Sequence, residues 1–160
     1  MGSKNKTQEL IQILIKKNIK ICSAESVTGG KFAYEIIKHE NASKIFDYGL
    51  VVYSKQAKER ILKLKEQINK YDLVSKEISE FMVKEVIKFS EFKNILGISC
   101  TGQVGPSYLN KELEIGTVFI GISFNNRVNS IKRKIKLESR SKMIDTIVEE
   151  MVEQILEIIS

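Results

Sequence analysis

Ile19-Lys20-Ile21-Cys22-Ser23-Ala24-Glu25-Ser26-Val27-Thr28-Gly29-Gly30-Lys31-Phe32 changes its apolar period from two to that of a helix across a pair of glycines. Ile19 to Ser23 alternates apolar and polar residues like a short strand, and Thr28-Gly29-Gly30 breaks the pattern. Phe32, Ala33, Ile36 and Ile37 then resume it at helical spacing. A strand, a glycine turn and a helix in that order are the unit from which sheets with helices on both faces are built.

Ahead of this unit, Leu10, Ile11, Ile13, Leu14 and Ile15 give Thr7 to Lys17 an amphipathic helix that ends at Asn18. Tyr48 to Tyr53 reads as a second strand, Lys55 to Leu64 as a short helix, and Ser75 to Phe89 as a longer helix with Ser75 as its N-cap. A strand over Asn94 to Cys100 runs into Thr101-Gly102-Gln103-Val104-Gly105-Pro106, a second glycine-bearing loop holding the only proline. Thr117 to Phe124 and Asn129 to Leu137 pair as a hairpin across Asn125-Asn126, and Lys142 to Ile159 is a closing amphipathic helix with Ser141 as its cap. The expected architecture is a single α/β domain over residues 1–160, in three α/β/α layers around a mixed, mostly parallel sheet of about five strands. In such sheets ligands bind beyond the carboxyl ends of the strands, where both glycine loops emerge.

The composition narrows the function classes. A chain of 160 residues supports one compact core. Twenty-six Lys and Arg against twenty Asp and Glu give +6, but the excess is lysine spread along the chain. Spread lysine is a solvated surface rather than a nucleic-acid footprint, which would cluster arginine with aromatics. No apolar run reaches membrane-spanning length, and the start, Met1-Gly2-Ser3-Lys4-Asn5-Lys6, has neither a signal core nor the myristoylation pattern. Cys22 and Cys100 lie in apolar stretches and read as two small buried side chains, which fits a reducing compartment. The expectation is a cytoplasmic protein with no membrane and no nucleic-acid partner.

Three places could carry chemistry. Ser26 to Gly30 follows a strand and opens a helix, where backbone N–H groups can face an anion; a tight structural turn has the same sequence. The Walker A pattern fails there, because Phe32 follows Gly30-Lys31 and Glu25 stands at the first glycine's place. Tyr53-Ser54-Lys55-Gln56-Ala57-Lys58 puts a phenol and an amine within reach of one cleft, and a desolvated lysine can act as a base. Ser139-Arg140-Ser141-Lys142 matches a Ser-x-x-Lys pattern but precedes a helix without that pattern's companions, and reads as a cap. His39, the only histidine, is expected on the surface; alone it supports no metal cluster, and two isolated cysteines make no zinc site, so neither a metal nor a cofactor is expected.

With both loops in view, the sequence resembles the CinA C-terminal domain family over nearly its whole length. The family's Ala-Glu-Ser-Cys-Thr-Gly-Gly motif stands here as Ala24-Glu25-Ser26-Val27-Thr28-Gly29-Gly30, and its Tyr-Ser-Asn-Glu-Ala-Lys motif as Tyr53-Ser54-Lys55-Gln56-Ala57-Lys58. Val74-Ser75 and Gly116-Thr117-Val118 match its Val-Ser and Gly-Thr-Val stretches. Stand-alone members cleave nicotinamide mononucleotide to nicotinic acid mononucleotide and ammonia, and the resemblance implies that reaction. It makes Ser26 the nucleophile, Lys58 its base, and Tyr53 the residue that orients Lys58 or relays the proton. Thr28, Gly29, Gly30, Thr101 and Gly102 are then expected around the oxyanion or the phosphate, with Arg140 on the phosphate. The closing amphipathic helix and the resemblance together suggest a homodimer.

The second loop departs from the family. Its Gly-Ile-Ala-Gly-Pro appears as Gly102-Gln103-Val104-Gly105-Pro106, and the glycine-rich continuation is replaced by Ser107-Tyr108-Leu109. Leu113-Glu114-Ile115 replaces Lys-Pro-Val, and Ile144 stands where a second arginine belongs. Three readings follow: an amidase, a nucleotide-binding module that has lost turnover, and a partner-binding protein linked to competence or DNA damage. The larger family members carry an N-terminal domain resembling molybdopterin-binding proteins, for which this sequence has no room ahead of the first motif.

Overall fold

The computed structural model describes residues 5–160. In chain order it contains α1 (Lys6–Lys16), β1 (Lys20–Glu25), α2 (Lys31–Ile37), β2 (Phe46–Val51), α3 (Lys55–Ile61), α4 (Lys65–Lys70), α5 (Lys76–Val86), β3 (Ile95–Gly102), β4 (Thr117–Phe124), β5 (Arg127–Lys134) and α6 (Arg140–Ile159). The five strands form one sheet in the order β2-β1-β3-β4-β5. β1 lies parallel to both β2 and β3, and β4 runs antiparallel to β3 and β5, so β4 alone is reversed. The mixed, mostly parallel sheet read from the sequence is therefore present.

Alternation along β1 explains the layers. Ile21 packs on one face with Leu10, Leu14, Phe32, Ile36, Ile147, Met151 and Ile155 of α1, α2 and α6. Cys22 and Ala24 pack on the other with Leu62, Leu64, Ile68, Ile78, Met82 and Val86 from the α3 to α5 side. Successive strand residues point to opposite faces, so six residues serve two cores. α5 approaches β4 so closely at Gly121 that a Cβ there would sit 2.4 Å from the Ser79 carbonyl oxygen. No side chain fits that contact.

Several sequence readings are refined. The hairpin turns at Asn125 and Asn126, both at positive φ, so β5 begins at Arg127 and ends at Lys134, short of Leu137. Helix α6 begins at Arg140, which places Ser139 rather than Ser141 at the cap position, and the Ser139 side chain makes no capping bond. Ser75 caps α5 as expected, accepting from the Ile78 N–H at 3.1 Å. His39 is half-buried in the turn after α2, and its Nε2 has no partner among the described residues; it is not the exposed residue expected. The apolar face of α6 is consumed inside the chain, through Met143, Ile147, Val148, Met151, Val152, Ile155 and Ile159. That helix therefore supplies no ground for a dimer.

Candidate active site

β1 ends at Glu25, and Ser26 is the first residue beyond it, at the carboxyl end of the strand. β2 ends at Val51, and Tyr53-Ser54 leads into α3, whose cap is Ser54, with its Oγ accepting from the Ala57 N–H at 3.0 Å. Because β1 and β2 are parallel neighbours, both ends open on the same side of the sheet. Lys58, one turn into α3, reaches back over that end.

Lys58 is 3 % exposed, whereas the other lysines among the described residues are partly or fully exposed. Its Nζ donates to Ser26 Oγ at 2.8 Å and to the Tyr53 carbonyl at 3.0 Å, and Ser26 Oγ contacts that same carbonyl at 3.5 Å. Burial lowers the Lys58 ammonium from the ordinary 10.5 to about 8, with Cys100 nearby pulling weakly the other way. A serine hydroxyl in contact with an amine whose ionisation lies at about 8 is an arrangement able to activate a nucleophile without histidine. Of the two roles read for Tyr53, orienting Lys58 or relaying its proton, the contacts fit the first. Its main-chain carbonyl orients Lys58, while its phenol, 58 % exposed, accepts from the Arg140 guanidinium at 3.1 Å. A relay through the phenol is not the arrangement found.

The first glycine turn is closed on itself. Glu25, with no exposed surface, accepts from Thr28 Oγ1 at 2.7 Å and from the N–H groups of Phe32 and Ala33 at 2.8 and 3.1 Å. Gly29 N–H donates to the Ser26 carbonyl, and Gly30 takes a φ of +98° that brings α2 in against β2. The donors at the start of α2 that would hold an anion are thus engaged by Glu25, and Thr28, Gly29 and Gly30 lie behind the cleft rather than in its lining. Thr28 Oγ1 also meets Cys100 Sγ at 3.1 Å, and burial pushes that thiol up to about 11.

The cleft itself measures about 500 Å³, within the range of small-molecule sites. Ser26, Lys58, Tyr53 and Lys55 form one wall; Leu73, Thr101, Gly102, Val104, Pro106 and Leu109 form the other; Arg140 stands at its edge. Thr101 turns its hydroxyl to the Leu73 carbonyl, and Gly102 is pressed against Val118. Arg140 bridges the mouth, donating to the Gly105 carbonyl and to the Tyr53 phenol. Gln103, which sequence reasoning passed over, is the hub of the altered loop: its amide binds the carbonyls of Asn110, Leu113 and Glu114 and accepts from the N–H groups of Leu109 and Asn110. A groove of similar size between α1, α2 and α6 carries the ion pairs Lys31–Asp145 and Lys6–Glu153 and no nucleophile.

The sequence model of the CinA C-terminal domain matches residues 3–159. The chain belongs to the CinA C-terminal domain family. It is 36% identical over 145 residues to a CinA-like protein of Flavobacterium psychrophilum, covering 90% of this chain and 34% of that one. A CinA-like protein of Fusobacterium nucleatum is 38% identical over 122 residues, covering 76% and 29%. The chain thus spans about a third of the length of these CinA relatives. Among solved structures, the competence-damaged protein (CinA) superfamily protein of Escherichia coli superposes with a TM-score of 0.90 at 25% identity, over 97% of this chain and 89% of that one. The CinA fold expected from the two motifs is the fold observed.

Proposed function

We propose that this CinA domain is a nicotinamide-nucleotide amidase, an amidohydrolase of pyridine nucleotide salvage that converts nicotinamide mononucleotide to nicotinic acid mononucleotide and ammonia in the cytosol. The observation that carries the proposal is the 2.8 Å contact between Lys58 Nζ and Ser26 Oγ. With Lys58 neutral, Ser26 Oγ attacks the carboxamide carbon while its proton passes to Nζ. Collapse of the tetrahedral intermediate breaks the C–N bond, and the departing nitrogen takes that proton to leave as ammonia. Water then attacks the acyl-serine, giving its proton to Nζ, and breaking the ester returns a proton to Ser26 Oγ. The oxyanion is assigned to main-chain N–H groups of Gly102, Val104 and Gly105 on the glycine-bearing wall of the same cleft, because the Gln103 N–H is held by the Thr117 carbonyl and the α2 donors by Glu25.

The apolar wall of Leu73, Val104, Pro106 and Leu109 suits a flat pyridine ring, and Arg140 and Lys55 are the cleft cations available to its phosphate. Ammonia release from nicotinamide mononucleotide, beside free nicotinamide and beside Ser26→Ala, tests the reading. Release by the unaltered protein alone, and only from the nucleotide, supports it. Absence of release with the nucleotide still raising thermal stability replaces it with a nucleotide-binding module. The homodimer rests on the family resemblance, and a mass of one chain by light scattering would remove it.

A further inference from the structure

The residue immediately before the proposed nucleophile, Glu25, is a fully buried acid with no cation in contact among the described residues. Lys58 does not touch Glu25: its contacts are Ser26 Oγ and the Tyr53 carbonyl. Burying a carboxyl is costly unless every lone pair is met, and here donors from three residues meet both oxygens. All three donors lie on the segment from Thr28 to Ala33, which begins two residues after Ser26. Thr28 carries the constraint further, since its hydroxyl spans from Glu25 to Cys100 on the neighbouring strand β3. The turn bearing Ser26 is pinned at its strand end, at its helix end and sideways to β3.

From this geometry we infer that Glu25 is a positioning residue for Ser26, acting through Thr28 and the first N–H groups of α2 to hold the nucleophile within reach of Lys58. The inference rests on the proposed role of Ser26. Glu25 does not line the cleft; its part is to fix where the hydroxyl stands. A misplacement of about 1 Å at such a group costs on the order of a hundredfold in rate.

Its test uses phenylmethanesulfonyl fluoride as a small probe of serine reactivity, so that no assumption about the amide substrate enters. Ser26 Oγ forms a bond to sulfur, fluoride leaves, and the hydroxyl proton goes to Lys58; labelling is followed by mass spectrometry from neutral to alkaline pH. Glu25→Gln is expected to label at least about tenfold more slowly at every pH, with the midpoint of the pH profile unmoved, because Glu25 does not contact Lys58 and the substitution acts on where the Ser26 hydroxyl stands. Thr28→Ala is expected to slow labelling similarly, and Thr28→Ser, which keeps the hydroxyl, to restore it. Labelling of Glu25→Gln at the unaltered rate, or a displaced midpoint, overturns the inference. Should Glu25→Gln fail to fold, the Thr28 pair decides it alone: equal rates for Ala and Ser overturn it. An unaltered protein that labels nowhere removes Ser26 as nucleophile and this inference with it, whereas labelling without amide turnover removes only the substrate.

Discussion

Lys58 and Ser26 share one anchor: the carbonyl of Tyr53 accepts from Lys58 Nζ at 3.0 Å and faces Ser26 Oγ at 3.5 Å, while the two side chains meet at 2.8 Å. A main-chain oxygen just beyond the end of β2 thus sets the distance between the proposed base and the proposed nucleophile. Backbone oxygens move less than long side chains, so the pair is held ready before any ligand arrives.

Replacing either partner is expected to stop the chemistry without unfolding the protein. Ser26→Ala and Lys58→Ala should each lower kcat for ammonia release by at least about a thousandfold, with circular dichroism unchanged. Turnover within tenfold of the unaltered protein in Ser26→Ala would end the serine mechanism.

The pH dependence follows from the burial of Lys58. Only the neutral amine accepts the Ser26 proton, and burial places its ionisation at about 8. kcat/KM for nicotinamide mononucleotide should therefore rise through about pH 8 and level off above it, the limb belonging to the free enzyme. A flat profile across that range would show that Lys58 is not the base.

The same burial acts on stability. In the unfolded chain Lys58 holds its proton up to about 10.5, whereas in the folded protein it releases it near 8. Between those values the unfolded state binds more protons, so this residue's contribution makes folding more favourable as pH rises from about 8 to 10.5, and it is a penalty below 8. Lys58→Met, which keeps the length and removes the charge, should raise stability at neutral pH by up to about 3 kcal/mol while abolishing turnover. Urea unfolding checks it; a fall in stability would contradict the burial argument.

Tyr53 and Arg140 separate binding from chemistry. Because the carbonyl and not the phenol touches the dyad, Tyr53→Phe should keep kcat within about tenfold. Arg140→Ala, which removes a cation from the cleft mouth, should raise KM more than it lowers kcat. Steady-state kinetics on both variants decide it, and a kcat collapse in Tyr53→Phe would restore the phenol to the reaction.

Much of the fold was legible because strand and helix periods are strong in Ile19 to Ile37 and in the terminal helix. α4 was not, since Ile68 is its only buried residue and a single apolar position carries no period. The motifs brought Ser26, Tyr53 and Lys58 to one cleft, as the resemblance implied. They left open whether Tyr53 orients Lys58 or relays its proton, because a motif describes side chains and the atom of Tyr53 that meets Lys58 is its carbonyl oxygen. Thr28 to Gly30 reads from the sequence as either an anion cradle or a tight turn, and Glu25 occupies its donors. Alternation hinted at that outcome: Ile21, Ser23 and Glu25 share the face of β1 on which α2 packs.

The amide of Gln103 makes the rim of the cleft a detachable module. One side chain gathers the loop from Leu109 to Glu114 onto itself, and Asn110 ties that loop to the Val74 carbonyl. The shape of the pocket can therefore be rewritten by loop exchange without disturbing β3 or the Ser26 turn. A chimera importing this rim into another CinA scaffold would have to carry Gln103 and Asn110 together, because half of the pair leaves buried carbonyls without donors.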